Sequence, residues 1–593
     1  VRRRTVAARA AGAASLLHLG LAAVLTWPLA AHLTTSLPYG TEAAPTVGLF
    51  NLWTLRWNQD RAGHLFAHYW DAPIFSPTRG AFALSEPQPL TGLVFTPLSW
   101  LTGNPVLAAN LLLLAILAAN GAAAARLVRR LGASPGPALL AGVLAEAMPF
   151  VGSQMGVFQL TVVFPLFLLV ETVVRWAGGG GRRAAAAIGG WLAVTFLTCS
   201  YYGLFAIVGV GLPALVLARP AWRHRDRLLD LATGAGVFAV VGVPVVLAQA
   251  RITGGYQRTE DLIRNQSALA ADFWHLAPQS RGAGLLPWVS DGVSGQYLYP
   301  GTALLGLGAF GLAVGARRLR AAADDGGGGD GGAGAGAEGN DDAERAGADE
   351  WRRRLWFLGL GFGLNRLLAF GLHLSIGGWE PYRLLRTFVP GFDSLRSPYR
   401  FAVLTEVFLV ALAGLALDAL WRHRPGWRAV PWGRVAAVVV VVAGVLEVAI
   451  MPVHLFPVDQ RTPEWAAWLD DQPPGSVAFL PFPADGHVAS YAPTARHMLE
   501  LLDVGVPTVN GYSGLFPARY DELEAAARAY PEGRADVLLR ELGVSYLVVD
   551  AGWLATDPQR RTWLDGLAVP EWRDGDVVVL SVTVTPGRAR APG

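Results

Sequence analysis

A few almost uninterrupted apolar runs govern what this chain can become: 111–124, 162–170 with its flanks, 237–248 and 435–451. Helices built from such runs supply spans of a hydrocarbon layer about 30 Å thick. Only 16% of the 593 residues are charged while 52% are hydrophobic, against roughly 25% charged in an ordinary soluble protein. The sequence therefore describes a polytopic α-helical membrane protein. Its formal net charge of +3 does not favour a nucleic-acid partner.

Hydropathy predicts about eleven transmembrane helices, near 12–33, 105–126, 136–151, 158–176, 184–200, 202–218, 228–250, 299–316, 354–374, 401–420 and 433–452. The rows contain no lysine, so arginine supplies every fixed cation. With the abundance of Ala and Gly, this composition points to a high-GC bacterial genome such as an actinobacterium's. When the spans alternate, most arginine falls on one side: the N-terminus, Arg126/Arg129/Arg130, Arg175/Arg182/Arg183, Arg223/Arg225/Arg227, Arg317/Arg318/Arg320 with Arg352/Arg353/Arg354, and Arg422/Arg424/Arg428/Arg434. Short cytoplasmic loops retain such charge. That places the N-terminus on the cytoplasmic side of the cytoplasmic membrane and, after an odd number of spans, the C-terminal part outside. The initial apolar run follows Arg2, Arg3 and Arg4 without a convincing small-residue cleavage site, and reads as a retained first helix. The single Cys199 excludes an intrachain disulfide.

The resulting organisation is a transmembrane domain over 1–453 and an extracytoplasmic α/β domain over 454–593. The first outer loop covers 34–104. Within it, the apolar segment 90–101 is too short to cross and carries Pro97, so it is expected to lie along the interface. An inner Gly/Asp/Glu/Ala-rich stretch, 321–350, reads as a disordered linker. In the terminal domain, 477–480, 546–550 and 577–584 read as strands, and 462–470 and 520–530 as helices. No phosphate-binding loop accompanies them.

Candidate chemistry gathers in the outer loops. The first holds Glu42, Asp60, Asp71 and Glu86 among Trp53, Trp57, Tyr69 and Trp70. An interfacial belt explains the aromatics, but a carboxylate near lipid needs a cation or hydrogen-bond donors. His64 and His68, four apart, would share one helix face as a metal pair requires, or form a plain surface pair. Later outer loops carry Arg251, Arg258, Arg264, Arg383, Arg386, Arg396 and Arg400. A guanidinium cluster there either holds the phosphate of a lipid-linked donor or pairs with Glu380, Asp393, Asp261 and lipid head groups. Inside the spans, Glu146, Glu171, Glu406, Asp418 and Glu447 each need a partner or a proton, Glu406 most of all.

Several segments together resemble one family. They are Asn51-Leu52-Trp53-Thr54-Leu55-Arg56-Trp57, Asp71-Ala72-Pro73-Ile74-Phe75-Ser76-Pro77, Ser85-Glu86, Gly103-Asn104-Pro105, Gln159-Leu160, Ser200-Tyr201-Tyr202-Gly203, Leu395-Arg396-Ser397-Pro398-Tyr399-Arg400-Phe401 and Val509-Asn510-Gly511-Tyr512-Ser513-Gly514. In order and spacing they resemble bacterial GT-C-superfamily integral membrane glycosyltransferases of the polyprenyl-phosphate-sugar type.

The resemblance implies transfer of a sugar from a polyprenyl-phosphate donor to a lipid, glycan or protein acceptor outside the membrane. Glu42 or Asp71 would be general base, and Glu86 would orient it or bind a cation. Arg396, Arg400 and Arg258 would hold the donor phosphate, while Asn510, Tyr512 and Tyr520 would contact the acceptor. No cofactor follows from the sequence, and a need for Mg²⁺ or Mn²⁺ stays open. Three departures bear on catalysis. Pro45-Thr46-Val47-Gly48 stands where relatives carry a Gly-Asp pair, Pro87 follows Ser85-Glu86 in place of histidine, and Phe158 replaces the histidine before Gln159-Leu160. They support an alternative reading, a non-catalytic scaffold or lipid-glycan carrier of the same fold.

Overall fold

The computed structural model describes residues 2–582 apart from 41–43, 220–223, 255, 257, 290–295, 326–337, 424–430 and 530–533. The chain divides into two compact units. One comprises Val1–Leu33 and Asn110–His454, the other Thr34–Ala109 and Leu455–Gly593. The first outer loop thus belongs to the same unit as the C-terminal segment, whereas the sequence grouped it with the helices.

The first unit is helical, and the chain is a multi-pass membrane protein. Among the described residues, six stretches are long and apolar enough to cross a membrane: Pro105–Arg130, Pro135–Ser153, Phe158–Thr198, Ser200–Ala218, Thr302–Ala321 and Pro398–Arg422. Arg225–Val241 and Val243–Thr253, bent by 54°, make a seventh if they act as one. Eleven crossings would further require three shorter or more polar helices to cross: Gly12–Leu25, the second half of Glu338–Ala369, and the 17-residue Trp432–Val448. They would also require the 41-residue stretch Phe158–Thr198, about twice what the hydrocarbon layer needs, to cross twice. Its backbone leaves helical geometry at Gly178 and Gly179, where Gly179 has φ +99°, and the flanking helices Phe164–Arg175 and Gly181–Thr198 pack on each other.

The linker reading also changes. Helices Thr302–Asp325 and Glu338–Ala369 occupy its two flanks, residues 321–325 and 338–350, because alanine, glutamate and arginine favour helix there. Its centre, 326–337, lies outside the described residues.

Charges within the helices are tied at their ends. Glu171 accepts from Arg130 Nε at 2.9 Å. Asp418 accepts from the Ser134 backbone N–H and hydroxyl at 2.9 and 2.6 Å, at the start of Pro135–Glu146, and from Arg422 at 2.8 Å. Glu447 does the same for Thr302 at the head of Thr302–Asp325, at 2.8 and 2.7 Å. Carboxylates at these positions satisfy orphan N–H groups and complement the helix dipole. Glu146 pairs with His18 at 2.7 Å, in space that side chains at Gly121 and Gly142 would fill. Glu406, 2% exposed, faces the Phe150 backbone outside hydrogen-bond geometry.

The second unit is α/β. Strand β1 (Ser36–Pro38) pairs antiparallel with β2 (Leu455–Pro457), Leu37 opposite Phe456. A second sheet has the order β3 (Ser476–Leu480), β4 (Val544–Asp550), β6 (Val577–Val582), β5 (Ala568–Asp574). Strands β3 and β4 run parallel and the remaining pairs antiparallel. Trp465, Leu469, Val477, Phe479, Leu501, Val548 and Val579 form its core. Strands β3, β4 and β6 lie on the runs the sequence reads as strands. Strand β5, β1 and β2 were missed, because Pro570 and the charged Glu571, Arg573 and Asp574 break the alternation and the other two span three residues each.

From the first loop, the helix Thr46–Gly63 packs against Ala492–Leu502 and against Pro89–Thr102. The latter, with Pro97 inside, leaves Leu93, Val94, Trp100 and Leu101 between 48% and 85% exposed.

The tightest helix contact lies between Gly181–Thr198 and Arg225–Val241. A Cβ on Gly189 would sit 1.9 Å from the Gly234 carbonyl oxygen, whereas one on Gly190 meets nothing within 4 Å. Small residues let backbones approach in this way. Gly189→Ala should therefore lower the melting temperature of the detergent-solubilised protein, overpacking costing about 1–3 kcal/mol. Gly190→Ala should leave it unchanged or raise it, as Ala is the better helix former; differential scanning fluorimetry compares the two.

Candidate functional site

Three of the arginines singled out in the sequence converge in the helical unit. Arg396 and Arg400 come from the turn that leads into Ala402–Arg422, and Arg258 from the loop after Val243–Thr253. Pro398 starts that turn and fixes its direction. The Arg400 guanidinium lies 4.8 Å from the centre of the Tyr201 ring and 5.7 Å from that of Tyr399, and the residue is 7% exposed. Neither Arg396 nor Arg400 has a carboxylate within 4 Å among the described residues, and the buried Arg396 Nε lacks a hydrogen-bond partner there. Burial, reinforced by the Arg396 guanidinium and opposed by Tyr201, holds Arg258 below the usual arginine range. Guanidiniums held without a matching carboxylate, as Arg396 and Arg400 are, have the chemistry that suits an anion.

The neighbouring arginines differ. Arg264 donates to Glu380 at 2.9 Å, and Arg383 donates to Glu380 at 2.7 Å and, through both terminal nitrogens, to Glu260 at 2.6 and 2.8 Å. Arg386 adds a bond to Glu260 at 3.1 Å. Pairing thus accounts for these three, through Glu260 and Glu380. Asp393 instead accepts from the Ser394 backbone at 3.0 Å.

Two tyrosines belong with the arginines, although the sequence reading assigned neither a role. Tyr201 was visible in the Ser200-Tyr201-Tyr202-Gly203 motif. Tyr382, 2% exposed, has no hydroxyl partner among the described residues and interacts electrostatically with Arg386 and Tyr201. No spacing in the sequence could have linked it to them.

The candidate acids lie in the other unit. Glu42 is outside the described residues. Asp71, its side chain 44% exposed, accepts from the Gly80 backbone N–H at 2.8 Å and has His68 at 3.7 Å. Glu86, 9% exposed, sits in a braced segment. Asn58 donates to the Pro87 carbonyl at 2.8 Å, Gln88 donates to Asn51 at 2.8 Å, and the Leu515 backbone donates to Leu84 at 2.9 Å. Asn51, which opens the Asn51-to-Trp57 motif, and Asn58, the residue after it and two turns on along Thr46–Gly63, are the positioning residues.

The histidine pair does not share a helix face, because the helix ends at Gly63 and His68 has φ +53°. Among the described residues no group of three or more His, Cys, Asp or Glu side chains could hold a metal ion.

Two of the three predicted acceptor contacts, Asn510 and Tyr520, are interior groups. Asn510 is 1% exposed; its Oδ1 accepts from the Phe479 N–H at 2.7 Å and its Nδ2 donates to the Phe479 carbonyl at 3.2 Å. It lies in a segment, 507–510, that runs beside β3 and in turn receives residues 73–76 of the first loop, through Ser76 N–H to Thr508 O at 2.9 Å and Thr508 N–H to Pro73 O at 3.0 Å. Tyr520, 3% exposed, packs on Phe75 and Phe516. Tyr512 is half-buried against Phe50 and Tyr491. These side chains join the loop to the sheet.

The chain, with its helical unit and its α/β unit, has a GT-C-like fold. Solved structures similar to the chain include the arabinofuranosyltransferase AftD from Mycobacteria, at 15% identity and TM-score 0.57 over 97% of this chain and 40% of that one. Another is the Archaeoglobus fulgidus oligosaccharyltransferase in complex with Zn and sulfate, at 12% identity and TM-score 0.50 over 93% of this chain and 69% of that one. The chain thus spans about two-fifths of the length of AftD. It belongs to the family described as domain of unknown function DUF6311, whose model matches residues 72–450. No curated protein matches the chain.

Two predictions follow from this geometry. Asn510→Ala strands two buried backbone groups and should cost about 2–6 kcal/mol of stability, each unsatisfied group costing roughly 1–3; an acceptor contact would instead lose transfer at unchanged melting temperature. Arg383 holds Glu260, and Arg264 holds Glu380, below the usual carboxylate range through hydrogen bonds. Depressed folded-state pKa values give stability that is present above the ordinary carboxylate range and lost as pH falls through the folded values. Hydrogen exchange in 258–266 and 378–390 should therefore rise as pH drops below about 4 after correction for intrinsic rates. Glu260→Gln should already show faster exchange at neutral pH.

Proposed function

We propose that this protein transfers a sugar from a polyprenyl-phosphate donor to a lipid, glycan or protein acceptor at the outer surface of the cytoplasmic membrane. The observation that carries the reading is the pair Arg396 and Arg400, neither with a carboxylate within 4 Å among the described residues, with Arg400 against Tyr201 in a GT-C-like fold. A lipid-linked phosphate suits it. The guanidiniums neutralise charge that grows on the leaving oxygen as the anomeric carbon–oxygen bond breaks. The acceptor hydroxyl attacks that carbon and surrenders its proton to a first-loop carboxylate, Glu86 or Asp71 of the described residues or Glu42 beyond them. The donor departs as polyprenyl phosphate.

Membrane placement follows the arginine bias, with the N-terminus cytoplasmic and the α/β unit outside. Its two halves share one sheet system and hence one compartment, so the intervening helices cross an even number of times; the ten crossings expected after the first helix meet this condition. The exposed apolar face of Pro89–Thr102 is suited to the lipid interface.

Purified protein in lipid nanodiscs, given labelled polyprenyl-phosphate sugars and envelope extract, tests the reading. Arg400→Gln and Arg396→Gln should each lower kcat/KM by about 10²-fold or more, as loss of a transition-state donor does. Wild-type turnover by the double variant overturns the donor site. If Glu42→Gln, Asp71→Asn and Glu86→Gln all restore the envelope glycan of a deletion strain, the non-catalytic carrier replaces the enzyme.

A further inference from the structure

A cavity of about 760 Å³ lies in the α/β unit at the carboxyl ends of the parallel strands β3 and β4. Its size is that of small-molecule sites, and carboxyl ends of adjacent parallel strands are where open α/β sheets bind ligands. Its lining combines the indoles of Trp553 and Trp563 with Asp550, Arg560, Arg528 and His497.

The polar groups are held in place and incompletely used. Asp550 Oδ1 accepts from the Trp553 N–H at 2.6 Å, and its other oxygen makes no hydrogen bond among the described residues. Arg560 lies 4.5 Å over the Trp553 ring and donates through Nη1 to the Trp553 carbonyl at 2.7 Å and the Thr556 hydroxyl at 2.5 Å. Its buried Nε makes no hydrogen bond among the described residues, although the Asp557 carboxylate lies 3.8 Å away. Arg528 is anchored by a bond to the Pro483 carbonyl at 2.7 Å.

The chemistry of the ligand follows from this combination. The Asp550 carboxylate already occupies the head of the helix Ala551–Ala555 and repels a phosphate, which disfavours nucleotides and lipid phosphates. A carboxylate acceptor beside a guanidinium donor matches neighbouring hydroxyl groups, and a flat indole matches the apolar C–H face of a sugar ring. The geometry points to a saccharide-binding subsite in this cavity, with Asp550 and Arg560 reading hydroxyls and Trp553 and Trp563 supplying the stacking surface. The subsite deepens the transferase reading, and rests on it only in naming the bound sugar an acceptor.

Isothermal titration of the full chain in lipid nanodiscs with glucose, mannose, galactose and arabinose trisaccharides tests the inference. At least one should bind saturably. Trp553→Ala should weaken that binding about tenfold or more. Asp550→Asn, which keeps an equally good helix cap, should do the same by removing a charge-assisted bond. Arg400→Gln should bind the sugar as the wild type does. Absence of binding by all four trisaccharides overturns the subsite, as does binding that Asp550→Asn leaves unchanged; that variant decides the matter if Trp553→Ala fails to fold. Saturable, Asp550-dependent binding in a protein that transfers no sugar leaves the subsite standing and overturns only the transferase reading.

Discussion

A hydrocarbon layer cannot solvate charge, and the helical unit is organised by that constraint. Glu171, Asp418 and Glu447 lie near helix ends, where arginine or an orphan backbone N–H answers them. Glu146 has an imidazole instead. Against this background of answered charges, Arg396 and Arg400, like the buried Glu406, stand apart, the arginines stacked near tyrosine or partly unbonded rather than ion-paired. Desolvating a guanidinium without a counter-charge is costly. A ligand that brings an anion would relieve that cost, which is why the exception carries more functional weight than the rule.

Much of the helical architecture could be read from the chain because apolar length and proline placement act locally. Pro105, Pro135 and Pro398 each start a helix where hydropathy puts one. What hydropathy could not resolve is how an apolar run is divided. The reversal at Gly178–Gly181 and the 54° bend before Val243 depend on backbone geometry. The candidate site was legible residue by residue, but its partners were not. Arg264, Arg383 and Arg386 looked equivalent to Arg258, Arg396 and Arg400 in sequence. Only the fold brings Glu260 and Glu380 to the first set. Asn510 shows the same limit: an asparagine in a polar, aromatic-rich motif suggests ligand contact, and no sequence signal announces that its amide bonds the Phe479 backbone as a strand neighbour would.

The α/β unit draws on both ends of the sequence. Its sheet continues from β3 through 507–510 to residues 73–76, and aromatic side chains of the first loop, Phe50 and Phe75, complete packing around Tyr512 and Tyr520. The acids of the first loop are therefore positioned by the C-terminal segment as much as by their own helix. Glu86 illustrates this, bracketed by Asn58 on one side of its segment and Leu515 on the other.

The pairing of Ser36–Pro38 with Leu455–Pro457 has a consequence for biogenesis. A ribosome emits the first partner long before the second, and every intervening helix must be inserted before the ladder can close. During translation the early half waits with unpaired strand edges and uncovered aromatic rings, the state in which nascent chains recruit chaperones or proteases. Nonsense mutations anywhere upstream of Leu455 should thus disable the beginning of the polypeptide as surely as its end.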